Sequence, residues 1–214
     1  MRAKFISTAV VAVLIMGIAA QSAFAQGLLG KRYIGFEIGQ MTPGDDDIKD
    51  VDDSILQLGG GINIPVNPNI DAVVSLSYAK LEGDVEGIDV EATAKGVLGG
   101  INYHFTPEQK ANPFVGIRVG FVTSEAEASA GGISESEDED DFAIAVGAGV
   151  EIDLSEQVAI RPTIEYDKID DEDDFIAGVS LSMWFNESVF GGLATSYGFD
   201  DGDFSYSAGI GFGF

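Results

Sequence analysis

Residues 142–154 read Phe-Ala-Ile-Ala-Val-Gly-Ala-Gly-Val-Glu-Ile-Asp-Leu. Every even position from Phe142 to Leu154 is apolar, and the odd positions hold Ala143, Ala145, Gly147, Gly149, Glu151 and Asp153. A period of two marks a β-strand, because successive side chains point to opposite faces. The second face decides the kind of sheet. A strand turned to water on one side alternates apolar with polar residues. Here that side is mostly alanine and glycine, which suits the inward wall of a closed barrel. The apolar side is then the outer one, and it faces lipid.

The same alternation recurs along the chain, broken by turn-forming and acidic clusters. Before this strand it covers Tyr33 to Gln40, Ile55 to Ile64 and Ile70 to Lys80, then a segment ending in Val97, Ile101, Tyr103 and Phe105, and one setting Val115, Ile117, Val119 and Phe121 against Phe114, Gly116, Arg118 and Gly120. After it come Val158 to Tyr166, Phe175 to Phe185, Val189 to Phe199 and Phe204 to Phe214. Pro162 lies inside one of these, where it costs a ladder hydrogen bond and predicts a local bulge. Compact turns at 65–69, 106–112, 155–157 and 186–188 alternate with connections at 41–54, 81–89, 125–141, 168–174 and 200–203, most of them longer and acidic. Short turns at one rim and long loops at the other follow the outer-membrane plan. Aromatics gather at both strand ends: Tyr78, Phe121, Phe142, Tyr166, Phe175, Tyr197 and Phe204 near the loops, and Tyr103, Phe105, Phe185, Phe190, Phe212 and Phe214 near the turns. Such girdles suit the two bilayer interfaces. The fold class expected is all-β, a closed antiparallel transmembrane β-barrel of ten strands, with eight as the alternative, both termini periplasmic and the acidic loops outside.

The first residues, Met-Arg-Ala-Lys, are positive, and an apolar run from Ala9 to Ala20 leads to Ala23-Phe24-Ala25. These features predict a signal peptide over residues 1–25, cut before Gln26, with the barrel domain spanning 26–214. The run is shorter than the roughly 20 residues that a spanning helix needs. The chain has 36 acidic residues against 11 basic ones, a net charge of −25 that becomes −27 once Arg2 and Lys4 leave with the leader. Nucleic acid is excluded as a partner, since phosphate binding needs a basic face. There is no cysteine, so disulfides play no part.

Gly147-Ala-Gly-Val-Glu151, followed by Leu154, Arg161, Glu165 and Tyr166, resembles the OmpA/OmpX-like family of small barrels. The terminal Phe214 after Ile210 and Phe212 resembles the C-terminal signal that the outer-membrane assembly machinery reads. The resemblance implies a Gram-negative outer membrane protein with a structural, adhesive or narrow-pore role, surrounded by outer-membrane lipid and lipopolysaccharide. Eight-stranded members would end after a strand like Phe175 to Phe185, whereas this chain adds a hairpin from Val189 to Phe214. That addition favours ten strands.

Enzymatic barrels of this size, the omptin proteases and lipid A modifying proteins, lean on histidine at the outer rim or membrane face. The one histidine, His104, falls by parity on the inward face near a periplasmic turn, so no enzyme and no cofactor are expected. Glu37, Arg118, Glu151, Arg161 and Glu165 share the small-residue face and are read as lumen charges, either a selectivity ring or mutual neutralisation. Glycine, alanine and serine from the sixth and eighth to tenth strands, among them Gly147, Gly178, Ser180, Gly192, Ser207 and Gly211, suggest one vacant, water-holding side and a narrow, weakly cation-selective pore. The loops hold most of the acid: Asp45, Asp46, Asp47, Asp50, Asp52 and Asp53, then Glu135, Glu137, Asp138, Glu139, Asp140 and Asp141, then Asp170 to Asp174 with Asp171 and Asp173 among them. Clustered carboxylates are ligands for divalent cations, and would bridge to lipopolysaccharide phosphates, although none has the spacing of a defined calcium loop and which metal they would take is unknown. The competing functions are an adhesin or surface-binding protein acting through these loops and, behind it, a membrane-embedded enzyme.

Overall fold

The alternating segments pair with their sequence neighbours throughout, and the last closes on the first. The computed structural model describes residues 30–44, 54–85, 88–130, 133–170, 172–200 and 202–214. The expected leader with its cut before Gln26, and the acidic positions Asp45, Asp46, Asp47, Asp50, Asp52, Asp53 and Asp171, lie outside these residues. The strands are β1 (Tyr33–Thr42), β2 (Ile55–Asn67), β3 (Ile70–Val85), β4 (Ile88–His104), β5 (Ala111–Ala130), β6 (Ile133–Asp153), β7 (Val158–Ile169), β8 (Glu172–Trp184), β9 (Val189–Gly198) and β10 (Phe204–Gly213). They form one closed antiparallel barrel in which β1 pairs with β10 from Tyr33↔Gly213 to Thr42↔Phe204. Closure satisfies every ladder without a sheet edge inside the membrane, which lipid demands. Both described chain ends lie at the rim of the short turns.

Parity follows the sequence. Phe36, Phe121 and Leu193 are 53%, 65% and 59% exposed, members of an apolar belt that runs round all ten strands. Such a belt on an isolated chain is the surface that hydrocarbon covers. The short turns are tied by side chains: Ser155 Oγ accepts from the amides of Gln157 and Val158, and Asn186 Oδ1 from those of Ser188 and Val189.

Four expectations need correction. The connections at 81–89, 125–141 and 168–174 are mostly strand: β3 and β4 pair out to Val85↔Ile88, β5 and β6 to Ala130↔Ile133, and β7 and β8 to Ile169↔Glu172. Carboxylates crowd these stretches, yet period two continues through them, with Leu81, Val90, Ala92, Ala126 and Ala128 buried on one face. That apolar face holds the strands together past the membrane. Second, Pro162 makes no bulge. The β6–β7 register is the same at Gly149↔Thr163 and at Ile152↔Ile160, and the pairing merely lapses in between. The ladder shifts instead at Pro65/Asn67, where β2 runs into its turn. Third, Phe190 is fully buried and points into the barrel, so it does not belong to the inner girdle. The fourth concerns the lumen.

Candidate functional site

The interior is built in tiers. At mid-height the expected lumen charges meet in pairs. Arg118 on β5 donates to Glu165 on β7, and Arg161 on β7 donates to Glu151 on β6. The Arg161 guanidinium also lies 5.3 Å from the Phe114 ring centre. Glu37 on β1 joins neither pair directly; its carboxylate accepts a hydrogen bond of 3.1 Å from Ser207. It fits because Gly59 faces it, where a Cβ would stand 2.4 Å from Glu37 Oε1. Buried charges are tolerable when they are paired and hydrogen-bonded. Internal neutralisation, rather than a ring of like charges, describes four of the five.

Below this tier, at the end of the short turns, Tyr33 and Phe190 meet edge to face at 5.2 Å and Trp184 lies 4.9 Å from Phe190. His104 sits here with Nε2 3.1 Å from Asp71 Oδ2. The same Asp71 oxygen accepts from the Gly30 amide at 2.8 Å and from Asn63 Nδ2 at 3.0 Å, and Asn63 also donates to the Lys31 carbonyl. The vacant side expected of the interior is therefore occupied at its base. Gly211 is glycine because the Phe190 ring lies on it, 2.1 Å from where a Cβ would be. Small residues here make room for large neighbours. A cavity of about 200 Å³, lined by Lys31, Asn112, Glu151, Asp153 and Trp184 among others, opens beside them at this end.

Above the charges, the outer end of the lumen holds one apolar cluster. Met41, Ile55, Ala79, Leu81, Val90, Ala92, Ala94, Val122, Ala126, Ala143 and Ile169 pack together from seven successive strands, β1 to β7. Asp167 and Asp174 lie nearby on the inward faces of β7 and β8, and Asp174 Oδ1 accepts from the amides of Phe199 and Asp200. Ala143 was read on the small-residue face and Asp174 among the loop acids, but the cluster itself was not foreseen in the sequence. Their inward parity was the available signal.

Beyond the outer girdle, β3 to β6 continue as a four-stranded sheet. Its outer face is stitched across the strands: Lys80 pairs with Glu82 and, at 3.0 Å, with Glu91; Lys95 pairs with Glu125 at 3.2 Å; Thr123 donates to Asp140 at 2.7 Å. The hydrogen bonds to Glu82 and Glu91 hold the Lys80 ammonium above its ordinary pKa. Glu137, Asp138, Glu139 and Asp140 are all exposed but alternate between the faces of β6, so the strand does not bring them together. Asp173 instead accepts from the Tyr166 hydroxyl. Among the described residues no group of three or more carboxylates or histidines is placed to hold a metal ion. Ile210, Phe212 and Phe214 share the lipid-facing side of β10 and its end.

A closed antiparallel barrel with a lipid-facing belt, paired interior charges and aromatic rings at both rims defines a membrane-spanning β-barrel protein. The chain belongs to the outer membrane protein β-barrel domain family, whose model matches residues 10–191. Membership places it in the outer membrane of the Gram-negative envelope. It is similar in fold to Ail, the attachment invasion locus protein of Yersinia pestis, at 18% identity, with 87% of this chain and 100% of that chain covered and a TM-score of 0.50. The translocator domain of the autotransporter NalP from Neisseria meningitidis matches at 12% identity over 97% of this chain and 98% of that one, with a TM-score of 0.51. The transport unit of the autotransporter AIDA-I from Escherichia coli matches at 8% identity over 91% and 95%, with a TM-score of 0.52. No curated protein matches by sequence.

Proposed function

We propose that this barrel is a non-conducting, non-enzymatic envelope protein that holds an acidic sheet above the outer rim for structural and surface-binding work. The observation that carries the proposal is the apolar cluster across the outer lumen. A narrow cation-selective pore would require water to pass Met41, Ile55, Leu81 and Val122, all of which are fully buried. Hydrophobic constrictions of this kind stop ions by staying dry. His104, buried at the opposite end from the external medium, supports the absence of hydrolytic chemistry.

The remaining assignments follow the sequence. Residues 1–25 serve as a leader removed before Gln26, leaving residues 26–214 as the barrel domain. The partners are outer-membrane lipid and lipopolysaccharide around the belt, and the assembly machinery at Ile210, Phe212 and Phe214. Divalent cations bridge lipopolysaccharide phosphates to the acidic rim. Planar-bilayer recording on refolded, heat-modifiable protein tests the central point. No unitary conductance is expected, and steady conductance from folded protein overturns the closed-lumen assignment.

A further inference from the structure

We infer that Asp167 and Asp174, inside the outer end of the lumen, hold a hard divalent cation of the calcium class between their carboxylates. The two residues stand directly opposite each other across the β7–β8 ladder and are only 4% and 3% exposed. Residues so placed have Cβ atoms about 4.5–5.5 Å apart, and like charges set there repel. Both side-chain oxygens of Asp167 are buried, and neither has a hydrogen-bond partner. A buried carboxylate without a donor is costly, and a neighbour of the same sign makes it more so. Asp174, by contrast, is held as an anion, since its Oδ1 accepts from the amides of Phe199 and Asp200 at 3.2 and 3.1 Å. Its Oδ2 lies over Gly198, 2.5 Å from where a Cβ would stand, so any larger residue there would displace the carboxylate.

The cations nearby are engaged elsewhere. Of the charges that act on Asp167, Glu165 and Asp174 are negative and Arg118 is positive, and Arg118 donates to Glu165. Lys168 follows Asp167 on β7, but alternation turns it to the outer face. Asp203, on the far side of Gly198, adds negative charge to the same end of the lumen. The apolar cluster reaches this flank through Ile169 of β7, two residues from Asp167. Oxygen is the donor atom that these side chains offer, which selects a hard cation. Two carboxylates, completed by main-chain carbonyls and water, suit the large and adaptable shell of calcium better than magnesium, which demands a near-ideal octahedron. The site is separate from the exposed carboxylates of β6. An ion there ties β7 to β8 and, through the Asp174 hydrogen bonds, to the start of the β9–β10 connection.

Full-length protein refolded into phosphatidylcholine nanodiscs is titrated with calcium chloride in a calorimeter, and loss of the folded electrophoretic band on heating is followed with and without the ion. One calcium should bind per barrel, with a Kd of about 10⁻⁴–10⁻³ M, the range of sites with few charged ligands. It should raise the temperature at which the folded band is lost, and magnesium should do so less. Asp167→Asn should lose the binding. Without calcium this variant should withstand heat better than the parent, because one of two opposed charges has gone; with calcium the parent should gain and the variant should not. The exposed control Asp138→Asn/Asp140→Asn should keep the site. A reading on the parent alone needs no variant: calcium should slow amide exchange at Phe199 and Asp200 and leave the amides of Glu137 to Asp140 unchanged. A heat-resistant Asp167→Asn beside a parent that ignores calcium would show that a proton serves the pair, and overturns the inference. Calcium binding that survives Asp167→Asn, binding lost in the exposed control, or an equal response to magnesium each overturns it as well.

Discussion

Arg118 and Glu165 pair across a whole strand: they sit on β5 and β7, and the contact passes over Gly147 of the intervening β6, where a Cβ would stand 2.8 Å from Glu165 Oε2. The glycine and the ion pair form one device, since the salt bridge crosses the wall only where the wall has no side chain. Removing one partner strands a buried charge. Arg118→Met should therefore cost about 3–5 kcal/mol, while the double variant Arg118→Met/Glu165→Leu should recover much of the loss. Urea unfolding in lipid vesicles would measure both, and equal or additive losses would show that the pair is not coupled.

Side-chain parity makes a second test. Val179 faces lipid and Ser180, its neighbour, is buried in the lumen. Val179→Arg should destabilise by roughly 2–4 kcal/mol if it lies near the bilayer midplane, whereas Ser180→Ala should change stability by less than about 1 kcal/mol. A larger loss at position 180 than at 179 would reverse the assigned faces.

The outer seal should be breachable. Leu81→Ser/Val122→Ser puts hydroxyls into the middle of the apolar cluster and shortens two of its side chains, which lets water in. The double variant should show ion conductance absent from the parent, on protein that still shifts in electrophoretic mobility on heating. If folded variant and parent are equally silent, the closure lies at another tier.

Deleting Ile210 to Phe214 removes the β10 half of the seam from Phe36↔Ile210 to Tyr33↔Gly213 and leaves β1 unpaired there. An open edge in lipid is costly, so the truncated chain should fail to insert stably. Accumulation of a protease-resistant, heat-modifiable barrel would contradict the closure.

Mature protein purified from membranes should begin at Gln26, as the Ala-Phe-Ala site specifies. Edman sequencing that returns Met1 would overturn the leader assignment.

Strand count and the direction of each face were legible because lipid and a narrow lumen impose opposite demands on alternate residues. Ile34, Phe36 and Ile38 against Gly35, Glu37 and Gly39 leave little ambiguity. Above the rim the solvent is water on the outside, so Glu82, Glu91, Glu125 and Glu127 replace the apolar residues and the stretch resembles a loop. Only the inward Leu81, Val90, Ala92 and Ala126 betray the strand, and small side chains give a weak signal. The lumen charges were legible as a set, but their pairing was not, because partners such as Arg118 and Glu165 meet over a third strand. Phe190 escaped because its type suggested a membrane interface, although its parity with Gly192 and Ala194 already turned it inward.

The strands differ in length by a factor of two, from 10 residues in β1, β9 and β10 to 20 and 21 in β5 and β6. The wall therefore rises on one flank and stays low on the other, with the β1–β10 seam on the low flank. Such a cylinder has a front and a back in the plane of the membrane. The lipopolysaccharide proposed to surround the barrel would meet a short wall beside the seam and a tall negative screen on the far side. Each molecule thus has a compass bearing among its neighbours.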